Sequence, residues 1–113
     1  MKIVFTTKGD NWDSMIDARF GRSDMFLVYD DESKTLDVIS NADSAEKEHG
    51  VGLQSAKKVL KLGADVIITG NGAGQKALDI FKESKIKIYI GAEDKSVKEA
   101  YEDFKNNRLK LQF

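Results

Sequence analysis

The chain has one histidine and no cysteine, so a transition-metal bond from an imidazole or a thiolate can come only from His49. That histidine stands just ahead of Gly50-Val51-Gly52 at the start of an expected helix. The positive end of a helix dipole favours the neutral imidazole, which is the ligand form. Asp43, Glu46 and Glu48 are close in sequence, but one histidine with loop carboxylates is not a closed metal site. A solvent-facing loop histidine accounts for the same pattern.

Two arginines, Arg19 and Arg22, flank Phe20 and Gly21. Guanidinium pairs suit a carboxylate, a phosphate or a sulfide-rich anionic cluster. Alternatively, one of them pairs with Asp17 or Asp24 and simply fixes the loop. Farther along, Gly70-Asn71-Gly72-Ala73-Gly74 joins an apolar run to a helical pattern, and free amides at a helix start attract anions. The spacing is not that of a dinucleotide fingerprint, because the third glycine comes one residue early. A tight strand-to-helix turn with unusual backbone angles would also need these glycines. Gly50 and Gly52 open the preceding helix with the same two explanations.

These residues are positioned by a recurrent pattern of elements. Leu53, Ala56, Val59 and Leu60 recur at helical spacing, and Gly63 falls where a left-handed C-cap belongs. Asp65-Val66-Ile67-Ile68-Thr69 is a β-branched run without polar alternation, as expected of a strand buried on both faces. Ala73, Ala77, Leu78 and Phe81 then return to helical spacing. A two-face-buried strand between helices implies a layered α/β architecture.

Upstream, Ile3-Val4-Phe5 centres a first strand, Met25 to Tyr29 a second and Thr35 to Ser40 a third. The polar turn between the last two predicts an antiparallel hairpin. Downstream, Ile86 to Ile90 is a further strand, and Ser96-Val97-Lys98-Glu99 has the form of a capping box. Strands are therefore expected at about 2–7, 25–30, 35–40, 65–69 and 86–90, and helices at roughly 50–62, 73–84 and 96–106. Leu109, Leu111 and Phe113 alternate with polar residues, so the tail could dock as a short edge strand. Residues 8–24 and 41–49 carry few periodic apolar anchors and are expected to open most easily. Within the first of these, Trp12 and Met15 either cap the core or form a contact patch.

Composition narrows the classes further. At 113 residues, with 41% apolar and 33% charged residues, the chain reads as one globular domain spanning 1–113. A net charge of -1 speaks against a dedicated nucleic-acid binder. The apolar runs are too short for a membrane span. The chain enters a strand with no leader of signal length, so a cytoplasmic protein is expected.

With the elements in place, Arg19-Phe20-Gly21-Arg22, His49-Gly50-Val51-Gly52-Leu53-Gln54, Val66-Ile67-Ile68-Thr69-Gly70-Asn71 and Ile88-Tyr89-Ile90-Gly91-Ala92 resemble the dinitrogenase iron–molybdenum cofactor biosynthesis family. These are small nitrogenase-accessory domains, and the resemblance covers nearly the whole chain. It implies a ribonuclease-H-like three-layer α/β/α fold with a five-stranded mixed sheet, order 3-2-1-4-5, strand two antiparallel. It also implies binding of an iron–molybdenum or iron–sulfur type cluster. In that topology the loop after strand one, the His49 loop and the glycine turn all open on the carboxyl edge of the parallel strands. Open α/β sheets place their ligands there.

The resulting expectation is a non-catalytic carrier of an anionic cluster. Arg19, Arg22, Gly50, Gly52, Gly70, Asn71, Gly72 and Gly74 would hold the anion, and His49 would supply a metal bond. A cofactor-assembly or regulatory protein would be the partner, with the chain a monomer or weak homodimer. A small regulatory or interaction domain binding phosphate, a nucleotide or no ligand is the alternative, and a phosphate-ester hydrolase stands third. A nuclease of the ribonuclease-H type would need a carboxylate within the first strand, and Ile3-Val4-Phe5-Thr6-Thr7 has none.

Overall fold

The computed structural model describes residues 1–41 and 51–112, apart from the side chains of residues 51–53. Its elements in chain order are β1 (Lys2–Thr7), β2 (Met25–Asp30), β3 (Thr35–Ser40), α1 (Val51–Lys61), β4 (Val66–Ile68), α2 (Gln75–Phe81), β5 (Lys87–Ile90), α3 (Val97–Lys105) and β6 (Lys110–Leu111). The sheet order is β3-β2-β1-β4-β5-β6. β1, β4 and β5 are parallel, while β2 runs antiparallel to both β1 and β3.

Among the described residues the expected sheet of five strands is thus corrected to six. The additional strand is the tail, which pairs Tyr89 with Leu111 and Ile90 with Lys110 in antiparallel sense. The Gln112 amide continues the contact by donating to the Ile88 carbonyl at 2.7 Å. Without β6, the outer side of β5 would present unpaired N–H and C=O groups, a liability that proteins cover. The alternation of Leu109 and Leu111 carries this pairing in the sequence.

Local chemistry explains most of the boundaries. Gly63 takes φ 74°, closing α1 in the left-handed conformation that only glycine adopts without a Cβ clash. Ser96 Oγ accepts from the Glu99 amide while the Glu99 carboxylate accepts from the Ser96 amide. These two bonds satisfy donors that a helix start leaves over. α2 is shorter than the helical spacing from Ala73 suggests, because the chain stays extended through Gly74 at φ -75°, ψ 172°.

The sheet divides the interior into two cores. Val4, Phe26, Val28 and Ile67 meet Ala56 and Val59 of α1 and Ala77 and Phe81 of α2 on one face. Ile3, Phe5, Leu27, Val66 and Ile68 meet Val97 and Ala100 of α3 on the other. The long segment after β1 is better anchored than its sequence suggests. Ile16 and Phe20 are buried, the Asp17 amide donates to the Thr6 carbonyl at 2.8 Å, and the Ile16 amide donates to the Lys95 carbonyl at 2.9 Å. Non-periodic apolar residues can anchor a loop as well as periodic ones, and periodicity does not reveal them. The other segment expected to open easily, together with His49 and Gly50, lies outside the described residues except for Asn41. No helix among the described residues is long and apolar enough to cross a membrane.

Candidate functional site

β1 and β4 are neighbours although β2, β3 and α1 lie between them in sequence, so the chain order reverses between them. The loops leaving their carboxyl ends are joined by direct bonds. The Asn71 amide donates to the Ala18 carbonyl at 2.8 Å. Beneath this contact, the Thr6 and Thr69 hydroxyls lie 2.7 Å apart and both approach the Asp17 carbonyl, at 2.7 and 3.4 Å. All three residues are buried, and a buried hydroxyl pair sharing one acceptor holds its strands in register because leaving it unpaired is costly. Gly70 is required here: a Cβ at this position would come within 2.6 Å of Ala18 Cα.

This stitching brings Arg19 beside the glycine turn. Its guanidinium binds Asp17 through two nitrogens, Nε to Oδ1 and Nη2 to Oδ2, each at 3.1 Å. Asp17 is buried, whereas the arginine side chain is 58% exposed. The hydrogen bond and then the charge of Asp17 raise the arginine's pKa further above its ordinary value. Arg19 therefore takes the loop-fixing role that Asp17 offered it, while Nη1 has no protein partner among the described residues.

Arg22 follows three residues later in the same loop. The carbonyl of the preceding residue, Gly21, accepts from Ser55 Oγ at 3.1 Å and from Asn41 Nδ2 at 3.3 Å. Asn41 and Ser55 are both buried, and Asn41 Nδ2 also donates to the Ser23 carbonyl at 2.8 Å. A polar node thereby locks the Arg22 turn to α1 one turn beyond Gly52, which lies in the first turn of that helix. The structure brings Arg19 to Gly70 and Asn71, and Arg22 to α1. His49 and Gly50 are not among the described residues.

Gln112 is a participant that sequence reasoning missed. Its side-chain oxygen accepts from the Ala73 amide at 3.0 Å, and its side-chain nitrogen donates to the Ala73 carbonyl at 3.1 Å. A Cβ on Gly72 (φ +95°) would lie 2.5 Å from that oxygen, so this glycine serves both a left-handed turn and a close approach. The Ala73 amide is accordingly occupied. Gly74, by contrast, caps α2 with no side-chain hydrogen bond, and a Cβ there would meet nothing within 4 Å. The open part of the turn is its Gly74 end. Thr6, Thr69, Asn41 and Ser55 were also missed, although polar residues in otherwise apolar strand ends and helix faces were the available signal.

Among the described residues, no group of three or more His, Asp or Glu could hold a metal ion, and the chain has no cysteine. The donor chemistry at this edge is that of guanidinium, amide and hydroxyl groups. It defines a class: a small α/β domain whose loops converge at a strand-order reversal.

The chain belongs to the dinitrogenase iron-molybdenum cofactor family, whose model matches residues 1–107. An uncharacterised protein of Methanocaldococcus jannaschii is 34% identical over 73 residues, covering 62% of this chain and 60% of that relative. The match thus spans less than two thirds of the relative's length. Among solved structures, the apo form of the orange protein of Desulfovibrio gigas superposes with a TM-score of 0.90 at 30% identity, covering 97% of this chain and 91% of the other. A NifB-like protein of Thermotoga, placed in the DUF35 family, superposes with a TM-score of 0.83 at 28% identity and the same coverage.

Proposed function

We propose that this protein is a non-catalytic carrier of an anionic iron–sulfur or iron–molybdenum type cluster, held at the carboxyl edge of β1 and β4. The observation that carries the reading is the Asn71–Ala18 hydrogen bond, which ties the arginine loop to the glycine turn at the strand-order reversal. Family membership supports a cofactor-related role. The cargo would be bound by charge and hydrogen bonding, through Arg19 Nη1, Arg22 and the Gly74 end of the turn, on a protein of net charge only -1. Local focusing of charge in a cleft attracts anions whatever the overall balance. His49 would supply an exchangeable metal bond, a weak attachment that suits a carrier passing its cargo to an assembly partner.

Anaerobic incubation with a synthetic iron–sulfur cluster, followed by gel filtration and iron analysis, tests this. Iron should co-elute with the protein, and Arg22→Ala should weaken retention of the cluster and of inorganic phosphate alike. His49→Ala should weaken cluster retention while leaving phosphate binding unchanged. Cluster retention unaffected by His49→Ala would remove the metal bond and leave a simple anion site. Absence of iron co-elution with the unaltered protein would overturn the carrier reading.

A further inference from the structure

Among the described residues, the face of the sheet that carries α3 is covered by one helix and a loop, and the cover is incomplete. Val38, opposite Leu27 in the β2–β3 register, is 47% exposed. On the same face, Trp12 from the long loop meets Tyr29 of β2 and Tyr101 of α3, with ring centroids 4.9 and 5.8 Å away. The two tyrosine rings are 5.2 Å apart, and all three rings are half-buried. Phe5 lies beneath, edge-on to Trp12 and Tyr101. These rings border an open hollow of about 400 Å³, completed by Asp13 and Lys98. That volume lies within the range of small-molecule sites, which pair aromatic walls with a few polar groups.

The two charged groups decide what would fit. Other cations of this region are committed: Lys95 pairs with Asp103, and Lys105 pairs with Glu102 while lying over the Tyr101 ring. The ammonium of Lys98 and the carboxylate of Asp13 have no ion pair or side-chain hydrogen bond among the described residues. The amides at the start of α3 are already engaged by its capping box, so Lys98 is the group left to meet an anion. Aromatic walls take the π-face of a planar ring, an ammonium takes an anion, and a carboxylate accepts from N–H or O–H donors.

We propose that this hollow binds a planar heteroaromatic ring carrying an anionic group, a nucleoside monophosphate being the simplest example. The ring lies against Trp12, Tyr29 and Tyr101, Lys98 pairs with the anion, and Asp13 accepts from a donor on the ligand. The site is separate from the arginine edge and does not depend on the carrier reading.

Trp12 is the sole tryptophan, so its indole N–H resonance reports on the hollow without ambiguity. Titration with adenosine monophosphate should shift that resonance saturably. Adenosine should bind roughly tenfold more weakly for lack of the charge-assisted contact, and ribose 5-phosphate should leave the resonance in place. Lys98→Ala, at an exposed position, should bring adenosine monophosphate down to the adenosine value, whereas Arg22→Ala, whatever it does to phosphate at the arginine edge, should leave the Trp12 shift and its saturation as they are. No shift with the nucleotide would overturn the proposal. So would a response lost in Arg22→Ala but kept in Lys98→Ala, or equal effects from ribose 5-phosphate and the nucleotide. A Trp12 resonance that moves on dilution without any ligand would place a second copy of the chain in the hollow, overturning the small-molecule assignment.

Discussion

The two faces of the sheet are built to different degrees of completion. On the α1–α2 face, two helices close over Val4, Phe26 and Ile67, and Phe20 fills the remaining gap by stacking near Phe26 and edge-on to Phe81. On the α3 face, among the described residues, one nine-residue helix must cover strands that α1 and α2 share on the other side. The shortfall is made up by a row of aromatic rings from a loop, a strand and a helix. Large rings can bridge a gap that aliphatic side chains would leave empty, but they do so with one side open to solvent. The first face buries its aromatic rings, while the second leaves Trp12, Tyr29 and Tyr101 half-buried at the surface.

Truncation should separate the two faces most clearly. Phe81 is fully buried, so Phe81→Ala should cost about 3–5 kcal/mol through lost burial and the cavity left behind. Trp12→Ala, at a half-buried position on the open face, should cost about 1–2 kcal/mol, roughly half the value of a fully buried ring. Urea denaturation of both variants checks this, and equal losses would mean that the α3 face is as closed as its counterpart.

The junction between the faces offers a sharper probe. Gly70→Ala drives a Cβ to 2.6 Å from the Ala18 backbone, which must move, at a cost of about 1–3 kcal/mol. Because the Asn71–Ala18 bond lies at the same place, amide hydrogen exchange at Asn71 should accelerate in this variant by more than exchange at Ile67. A uniform change across both amides would show that the junction is not a separate unit.

The smallest effect concerns Tyr101. Burial, and then the neighbouring Tyr29, hold its phenol pKa above the usual 10.0. A folded-state pKa above the unfolded one means that the folded chain keeps its proton while the unfolded chain loses it. The associated stability is fully present below pH 10.0 and is lost as pH rises through the folded value. Denaturation midpoints should therefore fall over that alkaline window, and fall less in Tyr101→Phe. Identical slopes in the two proteins would count against a desolvated phenol on the open face.

Much of this architecture could be read before any coordinates. Val66-Ile67-Ile68 announces a strand buried on both sides, Gly63 a left-handed helix end, and Ser96 with Glu99 a capping box, because each is set by residues adjacent in the chain. The role of Arg19 was legible only as a choice between an anion and pairing with Asp17 or Asp24, because those carboxylates lie within a few residues of it in the chain. The sixth strand was legible only as alternation in the tail. Its pairing depended on β5 being left with an open edge.

What the sequence by itself determined is the set of elements and the hairpin of β2 with β3, where short-range sterics, capping and hydrophobic period carry the information. Tertiary structure alone decided that Gln112 would clasp Ala73 across Gly72, and that Thr6 and Thr69 would share the Asp17 carbonyl. It also decided that Trp12 would complete an aromatic wall with Tyr29 and Tyr101. These contacts join residues from 11 to more than 60 positions apart. They follow from strand order and register, which side-chain periodicity along a single chain does not encode.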